Sequence, residues 1–159
     1  MSTSTTSPRS VQLPSAAVLI ATAYAVCVLG PVAVFVGEIV FTDHDPHAND
    51  GPIESMVTIS IAGTTALVIG VGLLAWLGRT PESARIGALV LAGLSVLTLV
   101  FFWSGAPGVL GACAAACAGL ARGRQPLSGS ARVAGIVGGF IAVLNMVLTF
   151  GGILLDGAV

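Results

Sequence analysis

The sequence predicts an all-α integral membrane protein: one bundle of five transmembrane helices, with the N-terminus inside the cell and the C-terminus outside. Composition is the first observation behind this prediction. Hydrophobic residues make up 55% of the 159 residues and charged residues only 8%, against about 25% charged in soluble domains. The second observation is the order of charges along the chain, since basic and acidic residues alternate between successive ends of the apolar segments.

Charge predicts the orientation of the bundle. The basic residues lie near the N-terminus and in two short loops, whereas most acidic residues lie at the opposite ends of the same apolar segments. Because basic loops remain on the cytoplasmic side of a membrane, the N-terminus is expected inside. The basic residues are Arg9, Arg79, Arg85, Arg122, Arg124 and Arg132, and the acids at the other ends are Asp43, Asp45, Asp50, Glu54 and Asp156.

The lengths of the apolar segments define the predicted elements. Residues 1–14, rich in Ser and Thr, predict a disordered cytoplasmic tail, and residues 15–159 a single transmembrane domain. An acidic extracytoplasmic loop is predicted at 42–55. About 20 residues span the hydrocarbon core, which all but the fourth segment satisfy. The predicted helices are 16–41, 56–78, 84–103, 106–121 and 133–155.

The first and fourth segments need separate justification. The first is too long for the apolar region of a cleaved signal peptide, and Gly30-Pro31 predicts a kink near its middle. The fourth has only 16 residues, mostly small, but without this crossing the arginines after it would lie outside beside the acidic loop. Charge therefore favours five crossings, with Pro107 in the first turn of the fourth helix.

The third and fifth segments contain a weak internal repeat. Residues 83–98 align without gaps to residues 130–145, with six of sixteen positions identical, and both copies run from inside to outside. Duplicated helices are common in membrane proteins. A shared bias towards Ala, Gly, Val and Leu explains the same similarity equally well.

A resemblance covers about residues 84–150. The stretches GALVLAGLSVL and SGAPGVLGACAAACAGLARGRQPLSGSARVAGIVGGFIAVL resemble a small helical domain of unknown function that is common in bacterial, especially actinobacterial, membrane proteins. That family has an apolar helix, a Gly/Pro turn, a small-residue helix, an Arg- and Gly-rich loop and another Ala/Gly-rich helix. The resemblance implies a membrane location and a helical hairpin, and it implies no activity.

Two polar features are candidates for chemistry. Asp43, His44, Asp45 and His47 form a cluster in the acidic loop whose imidazole and carboxylate groups suit a divalent metal. The alternative is a solvated loop that helps to enforce topology, because the spacing matches no established zinc motif. Glu38 is the one acid inside an apolar segment and is a candidate for an ion pathway. It lies three residues from Phe41, so hydration at the interface is the alternative.

Small residues and one amide are candidates for helix packing. Gly111, Ala115 and Gly119 recur every four residues in the fourth segment, and Gly135 and Gly139 do so in the fifth. Such spacing lets helix backbones approach closely. Asn145 lies near the middle of the fifth segment, where its amide needs an interhelical hydrogen bond. Cys113 and Cys117 share one face of the fourth segment and are interpreted as small packing residues.

The predicted function follows from this chemistry. A non-enzymatic accessory or scaffold protein of a bacterial plasma membrane is favoured, acting as a homo-oligomer or within a larger membrane complex. A small oligomeric transporter or channel for a divalent cation or protons is the alternative. No cofactor other than such a metal is expected. The lipid bilayer is the predicted partner, and a net charge of −1 argues against nucleic acid.

Overall fold

The computed structural model describes residues 13–41 and 51–156, and within these ranges the chain is all-helical. A π-helical turn, Ala25–Leu29, joins α1 to α2, and a 3-10 segment, Thr98–Ser104, follows α4. The predicted fold class is therefore confirmed at the level of an all-α protein. The helices are α1 (Ala16–Tyr24), α2 (Gly30–Phe41), α3 (Gly51–Leu77), α4 (Pro81–Leu97), α5 (Ala106–Cys117) and α6 (Ser130–Asp156).

Four helical stretches are long and apolar enough to cross a membrane, which indicates a membrane protein. They are Ala16–Gly37, Ile53–Leu77, Pro81–Ser104 and Ser130–Gly152. The 12 residues of α5 are about 18 Å long, well short of a hydrocarbon core of about 30 Å. The four stretches agree with four of the five predicted crossings.

Local sequence explains where the helices begin and end. Ser15 caps α1 by accepting from the Val18 N–H at 3.3 Å, and Thr80 and Ser83 form a reciprocal capping box with Pro81 at the start of α4. Helix α5 ends four residues before the predicted position, because Gly119 has a φ of +78° and the Leu120 N–H donates to the Ala115 carbonyl. This is the hydrogen bond of a glycine-terminated helix.

The predicted kink lies one turn before the Gly-Pro pair. Pro31 has no N–H to donate to the carbonyl of Cys27, four residues earlier. The preceding residues instead form the π-helical turn Ala25–Leu29, which ends with the Gly30 N–H donating to the Ala25 carbonyl. The first helical path is therefore continuous from α1 through the π-helical turn into α2.

Helix α5 occupies the centre of the bundle. All twelve of its residues are buried, and it contacts α1, α3, α4 and α6. The two copies of the internal repeat lie in α4 and α6 and bury equivalent positions. Ala84, Gly87, Ala88, Leu91 and Ser95 correspond at a separation of 47 residues to Ala131, Ala134, Gly135, Gly138 and Ala142, and all ten are buried.

Three chain segments meet at one end of the bundle. The Arg122 N–H donates to the Pro14 carbonyl at 2.8 Å, which places the loop after α5 beside the start of α1. The turn after α3 and the loop after α5 line one cavity. We call this end, formed by residues 13–15, 78–80 and 118–129, the arginine end. Helix α5 therefore returns the chain to the end where α1 begins.

Candidate functional site

The buried polar side chains of the described residues converge on a single place. They are Ser95, Ser104 and Asn145, and each is at most 3% exposed. All three form hydrogen bonds at or beside residues 98–105, which we call the bend, where the chain leaves α4 and turns into α5. The bend is the most polar part of an interior built otherwise from apolar and small residues.

The backbone of the bend departs from helical geometry at two positions. Phe101 has φ −111° and ψ 45°, and Gly105 has a φ of +71°. Ser104 compensates locally, since its hydroxyl donates to the Phe101 carbonyl at 2.7 Å and accepts from the Ala106 N–H at 3.3 Å. Irregular backbone inside a membrane is tolerated where protein groups satisfy it, and Ser104 supplies part of that requirement.

Two neighbouring helices supply the remaining hydrogen bonds. The Asn145 Nδ2 of α6 donates to the Phe102 carbonyl at 2.8 Å, and the Ser95 hydroxyl of α4 donates to the Pro107 carbonyl at 2.8 Å. The Asn145 Oδ1 is buried and has no hydrogen-bond partner. The amide predicted to link helices therefore does so through one of its two polar atoms, and the other remains available.

The first turn of α5 lies inside the bundle rather than at its surface. Gly105 packs directly against the Cys27 carbonyl, and a Cβ at residue 105 would overlap it. A Cβ at Gly108 would lie 2.7 Å from the Asn145 Oδ1 and 2.9 Å from the Cys27 Sγ. Cys27 follows Ser15 by 12 residues, so this point lies about 18 Å from the arginine end.

This arrangement has a defined chemical character. The N-terminus of a helix carries a partial positive charge and unpaired N–H groups, and that of α5 adjoins the unpartnered acceptor of Asn145. The groups there are an amide, hydroxyls and a thiol, which suit binding and positioning better than proton transfer. In residues 13–41 and 51–156, no three His, Cys, Asp or Glu side chains lie close enough together to hold a metal ion.

The predicted metal and ion-pathway residues are only partly placed. Asp43, His44, Asp45 and His47 lie outside the described residues. Glu38 is a residue of α2, but its side chain is not among those that the structure describes. Both hypotheses stay predictions.

The predicted packing glycines have different surroundings. Gly111 packs against the Gly138 carbonyl, and Gly135 against the Ala118 Cβ, both too closely to admit a side chain. Gly139 is looser, since a Cβ there would lie 3.6 Å from that of Ala115, an ordinary contact. Gly119 lies beyond the end of α5, where its positive φ terminates the helix. Its role is thus a turn rather than the helix-packing position that the spacing predicted.

Sequence reasoning did not identify Ser95, Ser104 or Gly105. A local signal was present, because Ser104-Gly105-Ala106-Pro107 combines a hydroxyl, a glycine and a helix-starting proline directly after three aromatic residues. Ser95 binds the Pro107 carbonyl 12 positions away and Gly105 packs against the distant Cys27, so sequence spacing alone does not identify these contacts.

Comparison with known proteins adds no functional information: no family model, curated protein or solved structure matches the chain.

Proposed function

We propose that this chain is a non-enzymatic accessory or scaffold protein of a bacterial plasma membrane, which acts by packing against another membrane protein or a second copy of itself. The observation that carries the proposal is the complete burial of α5 among four helices. The buried hydroxyls and amide around it hold the bend in place. An interior organised in this way supports a fixed shape, which suits a protein that presents a surface.

The side of the bundle offers a place for such a partner. An apolar groove of about 350 Å³ runs between α3 and the bend. Small side chains of α3, Ala62 and Ala66, form one wall, and the aromatic rings of Phe101 and Trp103 form another. Small residues let a neighbouring helix approach closely in a membrane, where packing rather than water drives association. We therefore propose a transmembrane helix of the partner as the occupant of this groove.

The experiment is purification in a mild detergent at native expression, with identification and weighing of the co-purifying species. We expect a stoichiometric partner, or a homo-oligomer, that is lost from Ala62→Phe because the ring fills the groove. Val68→Phe is the matched control, since Val68 lies on α3, is 67% exposed and does not line the groove. A monomer without partners, or equal loss in both variants, would contradict the proposal.

The proposed orientation places the N-terminus inside and the C-terminus outside, with five crossings: α1 and α2 together form the first, and α3, α4, α5 and α6 form the others. The arginine end supports this arrangement, because it brings Arg79, Arg122 and Arg124 to the side where α1 begins. Helix α5 is short, but it brings the chain back to the arginine end. Its path is buried in protein, so it does not have to match the thickness of the lipid.

A small transporter or channel for protons or a divalent cation is the second candidate. The observation that favours it is the first turn of α5, which begins inside the bundle beside the unpartnered Asn145 Oδ1. Transporters form binding sites at the ends of such discontinuous helices. Flux of protons and Mn²⁺ through proteoliposomes tests this candidate. Glu38→Gln, His44→Ala and Asn145→Leu should each abolish flux, and an inactive wild-type protein would remove the candidate.

A further inference from the structure

The arginine end contains a cavity separate from the groove and the bend. Its volume is about 470 Å³, and it lies between the turn at residues 78–81 and the loop at residues 123–127. Arg79 reaches it from the turn and Arg124 from the loop, and no carboxylate is among the residues that line it. We call this cavity the basic pocket.

Arg79 is held in place by its own helix. Its Nε–H donates to the Ala75 carbonyl at 3.2 Å, in the last turn of α3. A guanidinium has five N–H donors, so this bond orients the group and leaves the four Nη–H donors for another partner. The arginine is thus anchored at one atom and remains able to bind an anion.

Arg124 has the more restricted position. It is half-buried, whereas Arg79, Arg85, Arg122 and Arg132 are exposed. Its Nη1 lies 2.6 Å from the point where a Cβ at Gly78 would be, so the absence of a side chain at residue 78 makes room for the guanidinium. The turn after α3 therefore brings together two cations that are 45 residues apart in the chain.

The remaining walls suit a ligand with a polar head and an apolar body. The Thr80-Pro81 start of α4 borders the pocket, and its positive dipole end favours an anion. Ala84, Pro126 and Leu127 supply apolar surface. The pocket also lies where α3 ends and α4 begins, at one end of two membrane-length stretches, and we expect this position to be at the depth of lipid headgroups.

We propose that the basic pocket binds the phosphate of an anionic phospholipid headgroup. Arginine presents paired donors that match phosphate oxygens, and basic pockets between transmembrane helices bind such headgroups. The pocket would retain a lipid whether or not the groove beside α3 holds a partner. This inference is therefore independent of the proposed accessory role.

The test is a binding titration of purified full-length protein in neutral detergent. The probes are short-chain phosphatidylglycerol, phosphatidylcholine with the same chains, and sodium phosphate. The test variant is Arg79→Gln with Arg124→Gln. The control is Arg85→Gln with Arg132→Gln, which removes the same charge from exposed positions of α4 and α6 that do not line the pocket. Melting temperatures of all three proteins establish that they are folded.

We expect phosphatidylglycerol to bind more tightly than phosphatidylcholine. The test variant should bind it about thirtyfold more weakly, and the control within about threefold of wild type. Arg79→Lys with Arg124→Lys should recover only part of the affinity, because lysine keeps the charge but loses the paired donors. Sodium phosphate that binds as tightly as the lipid would identify the ligand as free phosphate instead. Equal weakening in test and control variants would overturn the proposal, as would a test variant that binds like wild type.

Discussion

Asn145 in α6 donates a hydrogen bond from its Nδ2 to the carbonyl oxygen of Phe102 in the bend, at 2.8 Å and across 43 residues of chain. This bond ties the last helix to the irregular segment that precedes the central helix. An unpaired carbonyl in the interior of a membrane protein is costly, so the bond stabilises a bend that α4 and α5 do not satisfy alone.

Replacement of Asn145 by alanine should destabilise the bundle. The variant leaves the Phe102 carbonyl without its donor from α6, which is expected to cost about 1–3 kcal/mol. The free energy of unfolding in mixed detergent micelles measures the effect. Val147→Ala is the control, because Val147 is on the same helix and 61% exposed, and it should change stability by less than about 0.5 kcal/mol. Equal stability of Asn145→Ala and wild type would show that the bond contributes nothing.

Gly135 and Gly139 should respond differently to alanine. A methyl group at residue 135 would overlap the Ala118 Cβ, whereas one at residue 139 would make an ordinary contact. Gly135→Ala is expected to destabilise by about 1–3 kcal/mol. Gly139→Ala should be neutral or stabilising by up to about 1 kcal/mol, since it reduces the freedom of the unfolded chain. Unfolding of the two variants side by side tests this, and the reverse order of stability would refute the packing described for α5 and α6.

Gly105, the glycine of the bend, should not tolerate replacement by alanine. Its φ of +71° is unfavourable for other residues, and a side chain would overlap the Cys27 carbonyl. Gly105→Ala should therefore cost at least about 2 kcal/mol. Gly93 in α4 is the control, because nothing lies within 4 Å of its Cβ position. Thermal unfolding of both variants provides the measurement, and a Gly105→Ala protein as stable as Gly93→Ala would contradict the observed bend.

The proposed orientation predicts opposite labelling of two engineered thiols. Gln125→Cys lies in the exposed loop at the arginine end, and Glu54→Cys lies in the first turn of α3, at the opposite end of that helix, where Glu54 is exposed. A membrane-impermeant maleimide should reach residue 54 in intact cells and residue 125 only in inverted vesicles. Cys27, Cys113 and Cys117 are buried and should stay unlabelled until the protein is denatured. Labelling of residue 125 in intact cells would reverse the orientation.

The sequence predicted the helices more accurately than the positions where they begin, end and connect. Apolar length identified the four long stretches, and the distribution of the arginines, with Pro107 in its first turn, indicated the helix that became α5. Helix α5 ends four residues before its predicted end, and α3 begins five residues before its predicted start. Gly119 acts through its backbone conformation and Gly51-Pro52 starts a helix inside a polar stretch, and neither feature changes the hydropathy pattern. The bend was missed because Asn145, which donates to the Phe102 carbonyl, is distant from it in sequence.

Two properties of the chain followed from sequence alone: an all-helical fold with membrane-length segments, and the grouping of the arginines. Both depend on local composition and on the energetic cost of placing charge in lipid. The tertiary structure decided how the pieces meet. Gly105 packs against the Cys27 carbonyl, Asn145 reaches the Phe102 carbonyl, and Gly78 accommodates the guanidinium of Arg124. These are contacts between distant residues, and they depend on the packing of the helices.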